Sequence, residues 1–293
     1  MLKSHPQIYM PDMKEPQFFA SDLRISEPGT TQAGPSTYEE YLALFAGASP
    51  EQLVGDASTR HIWSPTAAAR IAEAQPAARI IALLREPASF LRSLHLQLLQ
   101  NRSEREPSLR KAIALERERR EGRALTKLAA SQPQLLIYTD RARYIDQLRR
   151  YHAVFPREQV LVLIYEDFRT DNEKTLREVQ RFLGVDDTAA LEAVEANKTV
   201  RRRVALDDAM LAVAHGQGSL ARTVKRGVKL VTPRRLRRGA FRTLQQSVVL
   251  GDPEPPDESF MLELRHRFKP EVEALSEYLD RDLVTIWGYD AVE

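Results

Sequence analysis

The stretch ARIIALLREPASFLRSLHLQ, residues 78–97, decides how this chain is read. It opens with a short apolar run, Ala78 to Leu84, that follows a Pro-Ala turn and has the look of a buried parallel strand. Arg85 closes the run, and Pro87 stands in the position proline favours at the first turn of a helix. Phe90, Leu91, Leu94 and Leu98 then recur at helical spacing. Such a strand-turn-helix is where open α/β sheets bind ligands. The Arg85 guanidinium would stand at the strand's end near a helix N-terminus, whose N–H groups and positive dipole end favour an anion. Ser93, on the same helix face as Ser89, adds a hydroxyl, and together these groups suit a phosphate. Taken alone, an arginine closing a strand is more often part of a surface ion pair.

Working outward, Gln159 to Tyr165 (QVLVLIY) reads as a second buried parallel strand and Leu53 to Ala57 (LVGDA) as a weaker third. Helical patterns lie between and after them: Ser89 to Gln100, Tyr144 to Phe155, and Leu176 to Leu183 ending at Gly184, a natural helix stop. A final helix from Ser259 to Leu279 places Leu264, Phe268, Val272, Leu275 and Leu279 on one stripe, to pack on the sheet. Strands alternating with helices predict an α/β fold, a three-layer and mostly parallel sheet flanked by helices.

Two charged stretches break that rhythm. Arg102 to Arg123 is dense in both signs and reads as a solvated helix or lid-like insertion. Ala221 to Leu244 carries Arg222, Lys225, Arg226, Lys229, Arg234, Arg235, Arg237, Arg238 and Arg242 with no acid between them. It marks a basic helical arm, over about 203–250, that is either solvated or anion-binding. One domain over 1–293 is expected to hold both.

Composition removes several classes. The 293 residues are 43% hydrophobic and 29% charged, enough for a large core. With no cysteine, disulfides and thiolate metal sites are excluded, and the six histidines never take the i, i+4 spacing of a helical zinc site. No metal is expected. No run approaches the length needed to span a bilayer, and the N-terminus lacks the order of a secretion signal, so a cytoplasmic protein is the expectation. The basic arm has one aromatic, Phe241, too few for a stacking platform, so nucleic acid is not an expected partner.

Arg85-x-Pro87 followed by Ser93 resembles the 3′-phosphate-binding segment of sulfotransferases that use 3′-phosphoadenosine 5′-phosphosulfate (PAPS). Other stretches fall in family order: HPQIYMPDMKEPQFF near the start, TYEEYLALFAGASPEQLVGDAST next, and then Tyr144-Ile-Asp-Gln-Leu, Phe155-Pro156, VLVLIYEDF and RFLGVD, as in bacterial and carbohydrate sulfotransferases. The resemblance implies a P-loop-NTPase-like sheet. It also implies PAPS as co-substrate with 3′-phosphoadenosine 5′-phosphate (PAP) as product, and a hydroxyl or amine of a carbohydrate or other small molecule as acceptor. Arg85 and Ser93 would hold the 3′-phosphate, although the family often has a further arginine where this chain has Phe90.

Within KEPQFF the family's catalytic base maps to Glu15, a carboxylate suited to take the acceptor's proton. Lys14 beside it would stabilise negative charge or pair with a neighbouring acid. Without the family, the two read as a surface pair ahead of a Phe18-Phe19 anchor. Asp56, Ser58 and Thr59 are either site residues or a helix cap; His61 and Trp63 either line the acceptor cleft or belong to the core.

One family feature has no counterpart. A loop of the type P-K-[ST]-G-T-T should precede the His5-Pro6 segment and grip the 5′-phosphosulfate. GTTQAGPS at Gly29 to Ser36 has Pro35 where the lysine should be and no strand before it. Leu2 and Ile8 read instead as the end of the helix after that loop. Met1 is then an internal methionine with about 20 residues of strand and loop absent, and transfer by this chain is expected to be impaired. The alternative is a non-catalytic protein that keeps the fold and binds a nucleotide or polyanion. The oligomeric state is not readable from the sequence.

Overall fold

The computed structural model describes residues 1–23, 34–127, 129–189, 191, 201–202, 250–251 and 255–292. The strands are β1 (Ile8–Tyr9), β2 (Leu53–Val54), β3 (Ile80–Leu84), β4 (Val160–Ile164), β5 (Arg201–Arg202) and β6 (Leu250–Gly251). The helices are α1 (Tyr38–Ala43), α2 (Ala67–Ala74), α3 (Pro87–Gln100), α4 (Leu109–Ala114), α5 (Glu116–Arg120), α6 (Tyr138–Arg141) and α7 (Tyr144–His152). They continue with α8 (Tyr165–Thr170), α9 (Asn172–Leu183), α10 (Glu258–Leu279) and α11 (Leu283–Ile286).

The two apolar runs pair as expected. β3 and β4 are parallel and in register from Ile80 opposite Val160 to Leu84 opposite Ile164. Because side chains alternate along a strand, Ile80, Ala82 and Leu84 share a face with Val160, Val162 and Ile164. That face is covered at both ends, with Ile80 and Val162 partly buried. At one end Ile80 and Val160 pack with Phe18, Phe19, Tyr41, Ile71 and Phe155. At the other, Leu84 and Ile164 join Leu91, Leu264 and Phe268. The opposite face departs from the expected full burial, since Leu83 is 51% exposed. β2 falls within the weak third strand and pairs in parallel with β1. Ile8 is therefore a strand residue and not a helix end; the helical turn stops at Ser4. Parallel strands interleaved with helices make this an α/β fold.

Local chemistry ends the helices where the sequence says it should. Gly184 closes α9 at φ 67°, a left-handed conformation that side chains with a Cβ resist, and a Cβ there would meet Arg79 Nη1 at 3.0 Å. α10 begins at an Asp257 cap that accepts from Phe260 N at 3.1 Å. It buries Leu264, Phe268, Val272 and Leu275 and packs on α3 and α7.

The charged insertion is helical, as α4 and α5, but its key charges are buried and not solvated. Glu104 and Arg119 are 2% and 1% exposed, with Arg119 Nη2 2.8 Å from Glu104 Oε2. Arg119 also donates to the carbonyls of Ala112 and Leu136, and the Tyr138 hydroxyl donates to Glu104 at 2.9 Å. Glu116 holds the Thr139 N–H and hydroxyl. The stretch is a polar core whose partners lie on either side of it in sequence, invisible to a reading of local charge density.

His95, buried on α3, joins this network through Nδ1 at 2.9 Å from the Tyr138 hydroxyl. Burial, the largest influence, holds its imidazole below the ordinary value. The unfolded chain therefore takes up the proton first as pH falls. Stability from this group is full above about pH 6.5 and is lost as pH drops toward the depressed folded value. Urea midpoints measured from pH 7.5 to 5 should decline with acid, and His95→Gln should flatten that decline; an unchanged slope removes His95 as its source.

The basic arm expected over 203–250, and with it residues 221–244, lies outside the described residues apart from Leu250. An antiparallel pairing of β5 with β6 flanks it.

Candidate active site

Two corners carry the expected site residues. The first follows from strand register. Since Leu84 and Ile164 are partners, the residues that leave β3 and β4, Arg85 and Tyr165, emerge side by side at the carboxyl ends. The Arg85 guanidinium lies over the Tyr165 ring, 5.0 Å from its centroid, a cation–π contact. The Arg85 carbonyl accepts from the Tyr144 hydroxyl at 2.9 Å. Arg85 is partly buried, and its guanidinium makes no hydrogen bond or ion pair with a described residue. The Ser93 hydroxyl, partly buried on α3, is likewise without a hydrogen bond among the described residues. A guanidinium presented this way has donors to spare.

One expectation at this corner fails. The N–H groups that begin α3 are not available to an incoming anion, because Glu86 caps them itself, accepting from Ala88 N at 3.0 Å and Ser89 N at 2.7 Å. Glu86 is 4% exposed and also accepts from the Tyr289 hydroxyl at 2.6 Å. Any phosphate here is held by side chains. On the neighbouring strand end, Glu166 accepts from Trp287 Nε1 at 2.8 Å and Asp167 pairs with Arg281, which fixes the turn that presents Tyr165.

The second corner is the loop between β1 and the Phe18-Phe19 anchor. Glu15 and Gln17 adopt φ of 52° and 54°, a region uncommon for residues with a Cβ and further disfavoured for Glu15 because Pro16 follows it. Such strain persists where the surroundings enforce it. Here the 56–59 segment does so. Glu15 Oε2 accepts from Thr59 Oγ1 at 3.0 Å and from Gln17 Nε2 at 3.2 Å. Gln17 N donates to Ser58 Oγ at 2.8 Å, and Ser58 Oγ donates to Asp56 Oδ1 at 2.6 Å. Asp56 in turn accepts from the Tyr41 hydroxyl at 3.2 Å. The Asp-Ser-Thr cluster is thus neither a helix cap nor idle surface: it supports the Glu15 loop. Lys14 is exposed and pairs with no described acid.

Residues 1–189 match the model of the sulfotransferase family. The chain belongs to the sulfotransferase family. A crystal structure of a sulfotransferase from Alicyclobacillus acidocaldarius is similar in fold, with a TM-score of 0.65 and 25% identity over 98% of this chain and 90% of that one. No curated protein matches. Family membership supports a transferase that moves a sulfuryl group to a small-molecule acceptor. No helix among the described residues is long and apolar enough to cross a membrane, and no group of residues among them is arranged to hold a metal ion.

In this sulfotransferase the two corners are not joined by a hydrogen bond or ion pair among the described residues. Arg141, which the sequence did not single out, stands in electrostatic reach of both: of Glu15, and of Tyr144 beneath Arg85. Its guanidinium lies over the Trp63 ring, 4.0 Å from the centroid. Burial, and then the Arg60 charge, push it down to about 9. Arg60, held by the Leu23 carbonyl, is lowered by burial and drawn back by Glu15. Trp63 is 8% exposed and lies beneath Arg141, whereas His61 is partly buried and packs edge-on against Phe19 with centroids 5.9 Å apart. The sequence reading missed Arg60 as well, although it directly follows the GDAST stretch, and Arg141 sits in an RAR run with no local signal.

Proposed function

We propose that this sulfotransferase moves a sulfuryl group from PAPS to a hydroxyl or amine of a carbohydrate or other small acceptor. Glu15 serves as general base, and Arg85 with Ser93 takes the donor's 3′-phosphate. The observation that carries this reading is the Arg85 guanidinium, set on Tyr165 at the carboxyl ends of a parallel strand pair with no ion-pair partner among the described residues. A doubly charged phosphate fits that vacancy in the charge balance, since guanidinium forks match phosphate oxygens. The free Ser93 hydroxyl suits the same group. The donor supplies the sulfuryl group. For its part the chain contributes a carboxylate, Glu15, whose hydrogen bonds from Thr59 and Gln17 hold it ready to accept the acceptor's proton, and Lys14 beside it as a positive charge. A P-loop-like sheet order belongs to this reading.

Calorimetry with PAP tests the assignment. The chain should bind PAP, and Arg85→Ala should weaken binding about 10- to 100-fold, the worth of charge-assisted hydrogen bonds. Ser93→Ala should have a smaller effect in the same direction. Equal PAP affinity in Arg85→Ala and the parent removes the nucleotide from this corner.

A further inference from the structure

Arg141 presents a charge with no ion-pair partner among the described residues. Its side chain makes no hydrogen bond to a described residue, and its Nε is sequestered from solvent without a partner. Trp63 Nε1, on the indole that Arg141 covers, shares that condition, as does the Nε of Arg150, whose Nη2 donates to the Trp63 backbone carbonyl at 3.2 Å. Buried polar groups are paired in the great majority of native structures, so a cluster of orphaned donors asks for an acceptor. The charge balance makes the same demand. Arg60 and Arg141 repel each other in a partly buried setting, and Glu15, already engaged by Thr59 and Gln17, is the one acid drawn on by both.

We propose that Arg60 and Arg141, backed by Trp63, form an oxyanion site beside Glu15 that holds a carboxylate or sulfate group carried by the acceptor. Guanidinium forks bind such planar or tetrahedral oxyanions through paired N–H bonds, and the Trp63 face fixes the plane of the Arg141 fork. An acceptor anchored there by its anion would bring a neighbouring hydroxyl or amine to the Glu15 carboxylate. Naming the ligand as the acceptor rests on the sulfuryl-transfer reading; the existence of an oxyanion site does not. The preference is then for anionic acceptors over neutral ones of the same shape.

The test is a fluorescence titration at matched ionic strength, because the Trp63 indole touches the proposed site. It uses inorganic sulfate, a sugar acid such as galacturonate, and galactose as the neutral control. Running it in the Arg85→Ala chain keeps the nucleotide corner out of the readout. Sulfate and galacturonate should each give a saturable change that galactose does not, Trp63→Phe should abolish the signal, and Arg141→Met should weaken binding about 10-fold or more. Arg60→Gln serves as a second variant should circular dichroism show Arg141→Met unfolded. Identical titrations in Arg141→Met and its parent, or no saturable change at all, overturn the site. Sulfate binding without galacturonate binding overturns the acceptor's part and assigns the anion to free or donor-borne sulfate. A chain that titrates as expected here but never binds PAP keeps the oxyanion site and loses the sulfuryl-transfer reading.

Discussion

Glu15→Gln is expected to lower kcat about 100- to 10,000-fold, the usual contribution of a general base, while PAP affinity stays unchanged. The amide is the same size as the carboxylate and can still accept from Thr59, so the loop keeps its shape and only the capacity to take a proton is lost. That separation distinguishes catalysis from support. If Glu15 merely held its strained loop in place, Gln would be nearly silent and a disruptive Glu15→Ala would act through stability instead. PAP release from PAPS, followed with a panel of phenols, alcohols and sugar acids, reads the rate; thermal melting of the same samples reads the fold. A Glu15→Gln chain that turns over like its parent returns Glu15 to the surface pair it resembles in isolation.

A second large effect is expected far from that loop. Arg119→Met should cost about 3–5 kcal/mol of stability, the usual result of removing one partner of a buried ion pair. Glu104, 2% exposed, would keep neutral donors in the Tyr138 hydroxyl and the Arg105 and Glu106 N–H groups but lose the cation paired with it. Replacing both, as Arg119→Met with Glu104→Met, should recover much of the loss, because the pair's cohesion is offset by the cost of taking both charges out of water. Arg141→Met supplies the contrast. It removes a cation that pairs with no acid among the described residues, so its urea midpoint should stay level or rise. Equal losses in Arg119→Met and Arg141→Met would show that this contrast between a paired and an unpaired arginine is wrong.

Much of the fold was legible because its signals are local. The β3 and β4 runs are bounded apolar segments, Pro87 and Gly184 mark a helix start and stop, and the α10 stripe recurs from Leu264 to Leu279. β1 was not legible: a two-residue strand has no periodicity, and Ile8 and Tyr9 become one by pairing with Leu53 and Val54. The 102–123 stretch misled for a related reason. Its charges look solvated until Tyr138, Leu136 and Thr139 arrive from later in the chain to satisfy them.

The site divides along the same line. Arg85, Ser93 and Glu15 came from motif order; in the structure Arg85 lies on Tyr165, Ser93 is partly buried on α3 and Glu15 accepts from Thr59 and Gln17. Glu86 was passed over as an unremarkable residue between Arg85 and Pro87, although an acid just before a helical proline is a capping signal. Arg141 had no such signal. Its position depends on how α6 turns against Trp63, which is a matter of packing and not of sequence spacing.

The Tyr289 to Glu86 hydrogen bond spans 203 positions of chain. Through it the final turn of the protein braces the first turn of α3, one residue from Arg85. A fluorinated tyrosine introduced at 289 would therefore sense the arrival of nucleotide from outside the binding corner, and shortening the chain by its last five residues would slacken that corner without touching a residue that contacts ligand.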